Sequence, residues 1–268
     1  MPFATSHGVE LYYECSGDGL PIVFSHGLGG HVAQVQALFA GVGGIRLALY
    51  DNRTHGRSAD TGDLSTLNFR GMAGDMAAVM DAAGMARAVV GGVSMGAAIA
   101  AAFALRFPER ATALILSRPA WLAEPTPPNL EMFPLVADLV ERYGRDGALA
   151  RLVEHAQFLE YQDTAPAAAE SLRGLLTDRP ESAMIASFRH IPASTPFHSL
   201  DELRRLVMPA LVVGNHNDPV HPFEFAEAYA SALPHATLRT IVSKSDNVAL
   251  HEAQFREAVA AFLESLPA

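Results

Sequence analysis

Short apolar runs alternate with helical patterns in the first and last parts of the chain. The runs VELYYECS, PIVFS, IRLALY, AVVGGVS and ATALILS come before residue 121, and ALVVG and ATLRTIVS come after residue 200. Between two of the early runs, Phe69, Met72 and Met76 recur at helical spacing. Continuous apolar strands separated by helices are typical of parallel sheets buried on both faces. The pattern therefore predicts an α/β fold with a mainly parallel central sheet flanked by helices.

The alternation stops between residues 122 and 199. This stretch has helical and loop patterns over 129–144, 146–160, 165–178 and 180–191, and no strand pattern appears in it. A helical insertion inside an α/β alternation is expected to cover an edge of the sheet as a lid. We therefore predict an α/β core formed by residues 1–121 and 200–268, and a helical lid (cap) formed by residues 122–199.

Composition and charge narrow the classes of partner and compartment. The chain has 19 Lys and Arg against 29 Asp and Glu, a formal charge of −10, without basic clusters. This balance argues against binding to nucleic acid or to an anionic membrane. The one cysteine, Cys15, is expected to be a buried thiol in a strand. The N-terminus lacks a signal-peptide pattern and no apolar run is long enough to span a membrane, so we expect a cytoplasmic protein.

A serine between glycines marks the point where a strand pattern gives way to a helix pattern. Gly92-Val93-Ser94-Met95-Gly96 fits G-x-S-x-G, in which small residues allow a sharp turn that projects the hydroxyl above the sheet. The N-terminus of the following helix would face negative charge that develops on a substrate oxygen. The pattern predicts that Ser94 is a nucleophile; the alternative is a turn in which Ser94 only caps a helix.

With these motifs the chain resembles the α/β-hydrolase fold superfamily over nearly its whole length. The segment Ser-His-Gly-Leu-Gly-Gly at 25–30 is similar to the family's oxyanion loop, and Asp-Asn-Arg-Thr-His-Gly-Arg-Ser at 51–58 is similar to its D-x-R-G-H-G-x-S segment, with Thr54 in place of glycine. The resemblance implies a serine hydrolase of the Ser-Asp-His type, with an oxyanion hole formed by the backbone N–H groups of Leu28 and Met95. It also implies a lid after the sixth strand, and structural roles for Arg53 and His55.

A carboxylate is expected after the strand ALVVG. In this family the order is Ser, acid, His, and the acid stands four residues before a proline. Asp218 and Pro222 fit that pattern, so Asp218 is the predicted acid. The same segment can be written H-x-D-x-x-H, a possible metal-ligand spacing, but no further ligand cluster accompanies it and we predict no metal and no other cofactor.

The segment in which the family carries its catalytic histidine departs from the family pattern in this chain. Asn247 occupies the usual histidine place, and an asparagine cannot act as a general base near neutral pH. His251 follows four residues later, and we predict that it is the base. The alternatives are a triad without its histidine, or a histidine borrowed from His216 or His221.

The predicted substrate is a small-molecule ester, lactone or thioester, cleaved through an acyl-enzyme on Ser94 that water then releases. Arg118 and Trp121, which follow the strand ATALILS, are candidate substrate-binding residues, because an arginine beside the pocket could hold a carboxylate. The alternatives are a carbon–carbon bond or enol-lactone hydrolase of aromatic degradation, or a ligand-binding pseudoenzyme on the same fold. The sequence leaves a homodimer open.

Overall fold

The computed structural model describes residues 2–176 and 179–267, and its centre is an eight-stranded sheet. The strand order is β1-β2-β4-β3-β5-β6-β7-β8. Strands β1 and β2, and β2 and β4, pair antiparallel, and all other neighbours pair parallel. The predicted fold class is therefore confirmed.

The strands and helices follow one another along the chain in this order. The strands are β1 Phe3–Ser6, β2 Val9–Ser16, β3 Leu20–Ser25, β4 Ile45–Tyr50, β5 Ala88–Val93, β6 Ala111–Ser117, β7 Ala210–Gly214 and β8 Ala236–Thr240. The α-helices are α1 Val32–Leu38, α2 Phe69–Ala82, α3 Met95–Arg106, α4 Met132–Leu152, α5 Ala156–Thr164, α6 Pro166–Gly174, α7 Glu181–His190, α8 Phe223–Ala232 and α9 Val248–Glu264.

Helices cover both faces of the sheet. On one face, α2 and α3 pack their apolar sides onto the strands, with Met76 and Phe103 fully buried between them. On the other face, α1 and α9 cover Phe24 with Val35 and Phe255. This is why the central strands consist of apolar residues without alternation.

The direction in which successive strands are added to the sheet reverses at β3. The strand after β3 in the chain, β4, pairs on one side of it, and β5 pairs on the other, with Ser25 of β3 opposite Gly92 of β5. In an open α/β sheet, the crevice at such a switch point, beyond the carboxyl ends of the strands, is the usual ligand site. The loops that follow β3 and β5 carry the SHGLGG and G-x-S-x-G motifs, so the topology brings both motifs to this crevice.

The stretch between β6 and β7 contains helices α4 to α7. Their apolar sides pack on one another and on the core, and Phe133 of α4 stacks edge to face on Phe188 of α7 at 5.6 Å. The predicted helical segment 165–178 ends in residues 177 and 178, which lie outside the described residues, as do the terminal residues 1 and 268. The role of residues 122–199 as a lid stays a prediction. No described helix is long and apolar enough to cross a membrane.

Some local elements differ from the sequence expectations. Strand β1 was not predicted; it forms a hairpin with β2 around His7 and Gly8, whose φ angles are 49° and 77°. Cys15 is exposed and not buried, although its backbone pairs with Ala48 of β4. The last helix begins at Val248 and so includes His251.

Candidate active site

Ser94 forms the sharp turn that the sequence predicts between β5 and α3. Its backbone has φ 58° and ψ −115°, a left-handed conformation that is rare for a residue with a side chain. The Ser94 N–H donates to the Ser117 carbonyl at 2.9 Å, which ties the turn to the end of β6. A Cβ on Gly92 would lie 2.6 Å from the Cα of Gly96, so the turn requires glycine there. The strain at Ser94 is held by this close packing.

Two backbone N–H groups beside Ser94 are available to a ligand. Met95 is the first residue of α3, so its N–H has no acceptor within the helix. Leu28 belongs to the loop after β3 and follows Gly27. Gly27 lies so close to Ser94 that a Cβ added to it would be 3.3 Å from the Cβ of Ser94. Neither N–H forms a hydrogen bond with another residue that the structure describes. This is the arrangement expected of an oxyanion hole.

Buried histidines hold the loop that carries Leu28. The Nδ1 of His26 lies 2.7 Å from the Gly27 carbonyl, and its Nε2 accepts the Asn52 N–H at 2.9 Å. The Nε2 of His55 accepts the N–H of Gly29 at 2.9 Å. Burial lowers the pKa of His26 to about 4 and that of His55 well below its ordinary value. Both rings are therefore neutral at pH 7, and their contacts are structural.

The 51–58 segment is fixed by a buried ion pair. The guanidinium of Arg53 donates through Nε to Oδ2 of Asp75 at 2.6 Å and through Nη2 to Oδ1 at 2.5 Å, and both side chains are almost completely buried. A bidentate pair of this kind fixes orientation as well as charge. It anchors the segment that positions His55 against the N–H of Gly29.

A cavity of about 460 Å³ opens above Ser94. Loops at the carboxyl edge of the sheet form one side of it, and α4 and α6 of the 122–199 insertion form part of the other. Its apolar lining includes Leu28, Val93, Phe133, Leu172 and Leu175. The volume is that of a small-molecule site.

Asp218 lies in the loop after β7 and lines this cavity. Its Oδ1 accepts the N–H groups of Val220 and His221, each at 3.2 Å. Its Oδ2 lies 2.9 Å from Nδ1 of His221 and 3.3 Å from Nη1 of Arg118. Burial alone would raise the pKa of Asp218, but the His221 and Arg118 contacts hold it well below its ordinary value. The carboxylate is ionised and can act only as an acceptor.

Two histidines lie near Asp218 in different settings. His221 lines the cavity with Ser94, and its Nε2 is buried with no hydrogen-bond partner among the described residues. His251 is buried in the first turn of α9, does not line the cavity, and its Nδ1 lies 2.8 Å from the Val242 carbonyl. Burial, and to a smaller extent the positive charge of Arg118, lowers the pKa of His251 to about 4. The structure thus brings His221, and not His251, into contact with Asp218.

Asn247 serves as a helix cap. It is exposed, and its Oδ1 accepts the N–H of Leu250 at 3.0 Å at the start of α9. It does not line the cavity. The residue at the usual histidine place therefore has a local structural role here.

Lys244 was not identified from the sequence. It lines the same cavity, is half-buried, and makes no hydrogen bond or ion pair within the described part of the chain. Burial and the nearby Arg118 guanidinium lower the pKa of its ammonium group to about 8. Nothing in the sequence marks it, because its environment is made by loops that are distant in the chain.

The two predicted substrate-binding residues have different positions. Arg118, with φ 46°, lines the cavity and is paired with Asp218. Trp121 is completely buried, its ring packs edge to face on Phe69 at 5.2 Å, and it does not line the cavity.

The H-x-D-x-x-H segment does not form a ligand cluster. The ring of His216 stacks on Phe223, with centroids 4.1 Å apart, while His221 contacts Asp218. Within residues 2–176 and 179–267, no group of three or more His, Cys, Asp or Glu side chains is arranged to hold a metal ion.

Known proteins resemble this chain in sequence and in structure. Carbamate hydrolase RutD of Caulobacter sp. is 31% identical over 244 residues, 85% of each chain, and the protein of the same name from Azorhizobium caulinodans is 39% identical over 120 residues, which span 43% of each chain. A thermophilic esterase from Thermogutta terrifontis superposes with a TM-score of 0.77 at 25% identity, covering 96% of this chain and 94% of that one.

A family model agrees with these likenesses. The model described as the alpha/beta hydrolase fold matches residues 21–252, which includes the Ser94 turn, the Leu28 loop and Asp218. The chain therefore belongs to the α/β-hydrolase-fold family, and it is a hydrolase-type enzyme.

Proposed function

We propose that this protein is a serine hydrolase that cleaves a small-molecule ester, lactone or thioester through an acyl-enzyme on Ser94. The observation that carries the proposal is the strained backbone of Ser94, with φ 58°, in the lining of a cavity of about 460 Å³. Strained conformations persist where the surrounding structure enforces them, and they concentrate at active sites. A serine that only capped a helix would not need this conformation, and Ser94 makes no side-chain cap hydrogen bond.

The proposed first step forms the bond between Ser94 Oγ and the acyl carbon. The electron pair of the carbonyl moves onto its oxygen, which then accepts hydrogen bonds from the N–H groups of Leu28 and Met95. Both N–H groups lack other partners among the described residues, so they can bind the oxyanion without breaking existing hydrogen bonds. Loss of one such donor typically costs about 10²–10³ in kcat.

Ionised Asp218 supplies the orienting carboxylate. A serine hydroxyl is a poor nucleophile until a histidine, oriented by a carboxylate, takes its proton. The sequence prediction assigns that role to His251, and this assignment stays a prediction. The contacts around Asp218 favour a different histidine, since the ring that Asp218 contacts is that of His221.

The cavity suggests the size and character of the acyl group. Phe133 and Leu172 offer an apolar surface, while Lys244 offers a half-buried positive charge that lacks a partner among the described residues. Arg118 is already paired with Asp218. We therefore propose that Arg118 affects the substrate indirectly, through its contact with Asp218, and does not itself bind a substrate carboxylate. The cytoplasmic location and the homodimer stay predictions.

A fluorophosphonate probe tests the nucleophile directly. We expect the wild-type protein to be labelled once and the Ser94→Ala variant not at all. A panel of short esters, lactones, thioesters and carbamates then identifies the acyl class; carbamates are included because two of the relatives carry that name. A folded wild-type protein that neither reacts with the probe nor turns over any member of the panel would support the pseudoenzyme alternative.

A further inference from the structure

The structure assigns His221 as the general base that removes the proton of Ser94, in place of a histidine from the segment after β8. This inference rests on the proposed function and adds a catalytic residue to it. It is carried by the contact of His221 with Asp218 and by the free nitrogen on the other side of the same ring.

The Asp218–His221 pair has the geometry of a carboxylate that orients an imidazole. Nδ1 of His221 lies 2.9 Å from Oδ2 of Asp218. Because the carboxylate is ionised and can only accept, Nδ1 carries the hydrogen and donates it. In the neutral ring this tautomer leaves the lone pair on Nε2, the atom that a base requires.

Nε2 of His221 has no partner, although it is buried. Buried polar nitrogens are almost always hydrogen-bonded, so an unpartnered one calls for an explanation. His221 and Ser94 line the same cavity, and we infer that the Ser94 hydroxyl becomes the partner of Nε2 when a substrate is bound.

The other candidates do not line the cavity or are protonated at neutral pH. His251 is held by Nδ1 at the Val242 carbonyl and does not line the cavity, and Asn247 caps α9. Lys244 lines the cavity, but with a pKa of about 8 its amine is mostly protonated at pH 7 and is a poor base there. His221 is the one of these groups that both contacts Asp218 and lines the cavity.

The proton and electron balance of the step is simple. As Ser94 Oγ bonds to the acyl carbon, its proton passes to Nε2 of His221, and the imidazolium is stabilised by Asp218. The same proton then goes to the leaving oxygen or sulfur as its bond to the acyl carbon breaks. Water repeats the sequence on the acyl-enzyme, giving its proton to Nε2 and releasing the acid and Ser94.

The groups around His221 predict the pH dependence. Burial lowers the pKa of His221 below its ordinary value of 6.5; Asp218 opposes this, while Arg118 from the β6 end and Lys244 from the segment after β8 add to it. The base is active when neutral, so activity is lost as the pH falls through that pKa. We expect an acid limb in kcat/KM with its midpoint below pH 6.5, whereas Lys244 as base would place the midpoint near pH 8.

The test compares two histidine-to-glutamine variants on the best ester of the panel. His221→Gln is expected to lower kcat by about 10²–10⁴ with little change in KM, and to lose the acid limb. His216→Gln, a change in the same loop on a ring that stacks on Phe223 outside this cavity, is the matched control and should keep wild-type kcat and pH profile. Imidazole added to His221→Ala should restore part of the activity, which a purely structural role would not produce.

The outcomes separate this inference from the proposed function. A wild type that labels at Ser94, together with a His221→Gln variant that keeps its kcat and acid limb, overturns the assignment and leaves the hydrolase intact. If His221→Gln does not fold, the pH profile of His251→Gln decides: an unchanged acid limb supports His221, and a lost or shifted one assigns the base to His251.

Discussion

Replacing Gly96 by alanine tests whether the close approach of α3 to β3 sets the oxyanion hole. Gly96 is the second residue of α3, and a Cβ added to it would lie 2.7 Å from the Ser25 carbonyl carbon and 3.0 Å from the His26 oxygen. Carbon contacts are comfortable only at roughly 3.5–4.0 Å. The Gly96→Ala change therefore has to push the start of α3 away from the loop after β3 by about 1 Å.

This displacement falls between the two donors of the proposed oxyanion hole. Met95 moves with α3, whereas Leu28 belongs to the loop that begins with His26. A misplacement of about 1 Å costs about 10²-fold in rate. Overpacking of this kind also costs about 1–3 kcal/mol in the free energy of unfolding. We expect kcat to fall about 100-fold while the protein still folds.

The assay measures ester turnover and fluorophosphonate labelling beside urea unfolding. Gly43→Ala is the matched control, because a Cβ there meets nothing within 4 Å and Gly43 does not line the cavity. The control should keep both rate and stability. If Gly96→Ala loses stability but keeps the wild-type labelling rate, the two backbone N–H groups do not work together as proposed. If the free energy of unfolding is also unchanged, the start of α3 and the loop after β3 are not packed as closely as the distances around Gly96 indicate.

Three further substitutions probe the surroundings of the site. Asp75→Asn leaves Arg53 charged and unpaired in the core, so it should lower the free energy of unfolding by about 3–5 kcal/mol in urea titrations, whereas a loss below about 1 kcal/mol would contradict a buried pair. Asn247→Ala removes the cap on Leu250 and should cost about 1 kcal/mol of stability while leaving kcat unchanged; a large fall in kcat would give Asn247 a catalytic role. Lys244→Met should lower kcat/KM for esters with an anionic acyl group about tenfold relative to neutral ones, and an equal effect on both would exclude an anion contact.

The elements around Ser94 could be predicted because their signals are local. Glycines, a serine and an alanine-rich run specify where β5 ends and α3 begins, and the structure has α3 at Met95–Arg106, directly after Ser94. The hairpin of β1 was missed although its signal was present: His7-Gly8 is a two-residue turn with positive φ at both positions. A strand of four residues such as β1 carries too little apolar pattern to be predicted from the sequence.

The side-chain contacts of the site could not be read from the sequence in the same way. Trp121 follows a strand whose end faces the cavity, yet its ring turns into the core against Phe69, where an indole buries the most apolar area. The environment of Lys244 depends on Arg118, which lies far away in the chain. Such contacts are determined by the packing of loops, for which periodicity gives no information.

The contact between Asp218 and His221 is an exception, because a short local turn produces it. Oδ1 of Asp218 accepts the N–H groups of Val220 and His221, as in the Asx turns that aspartate forms with the residues after it. That turn brings the ring of His221 back to Oδ2 of the same carboxylate. Asp218 and His221 thus form one unit of the β7 loop, and the contact between them does not involve the segment after β8. A chain with this unit can use Asn247 as a helix cap and still present an oriented imidazole to the cavity that holds Ser94.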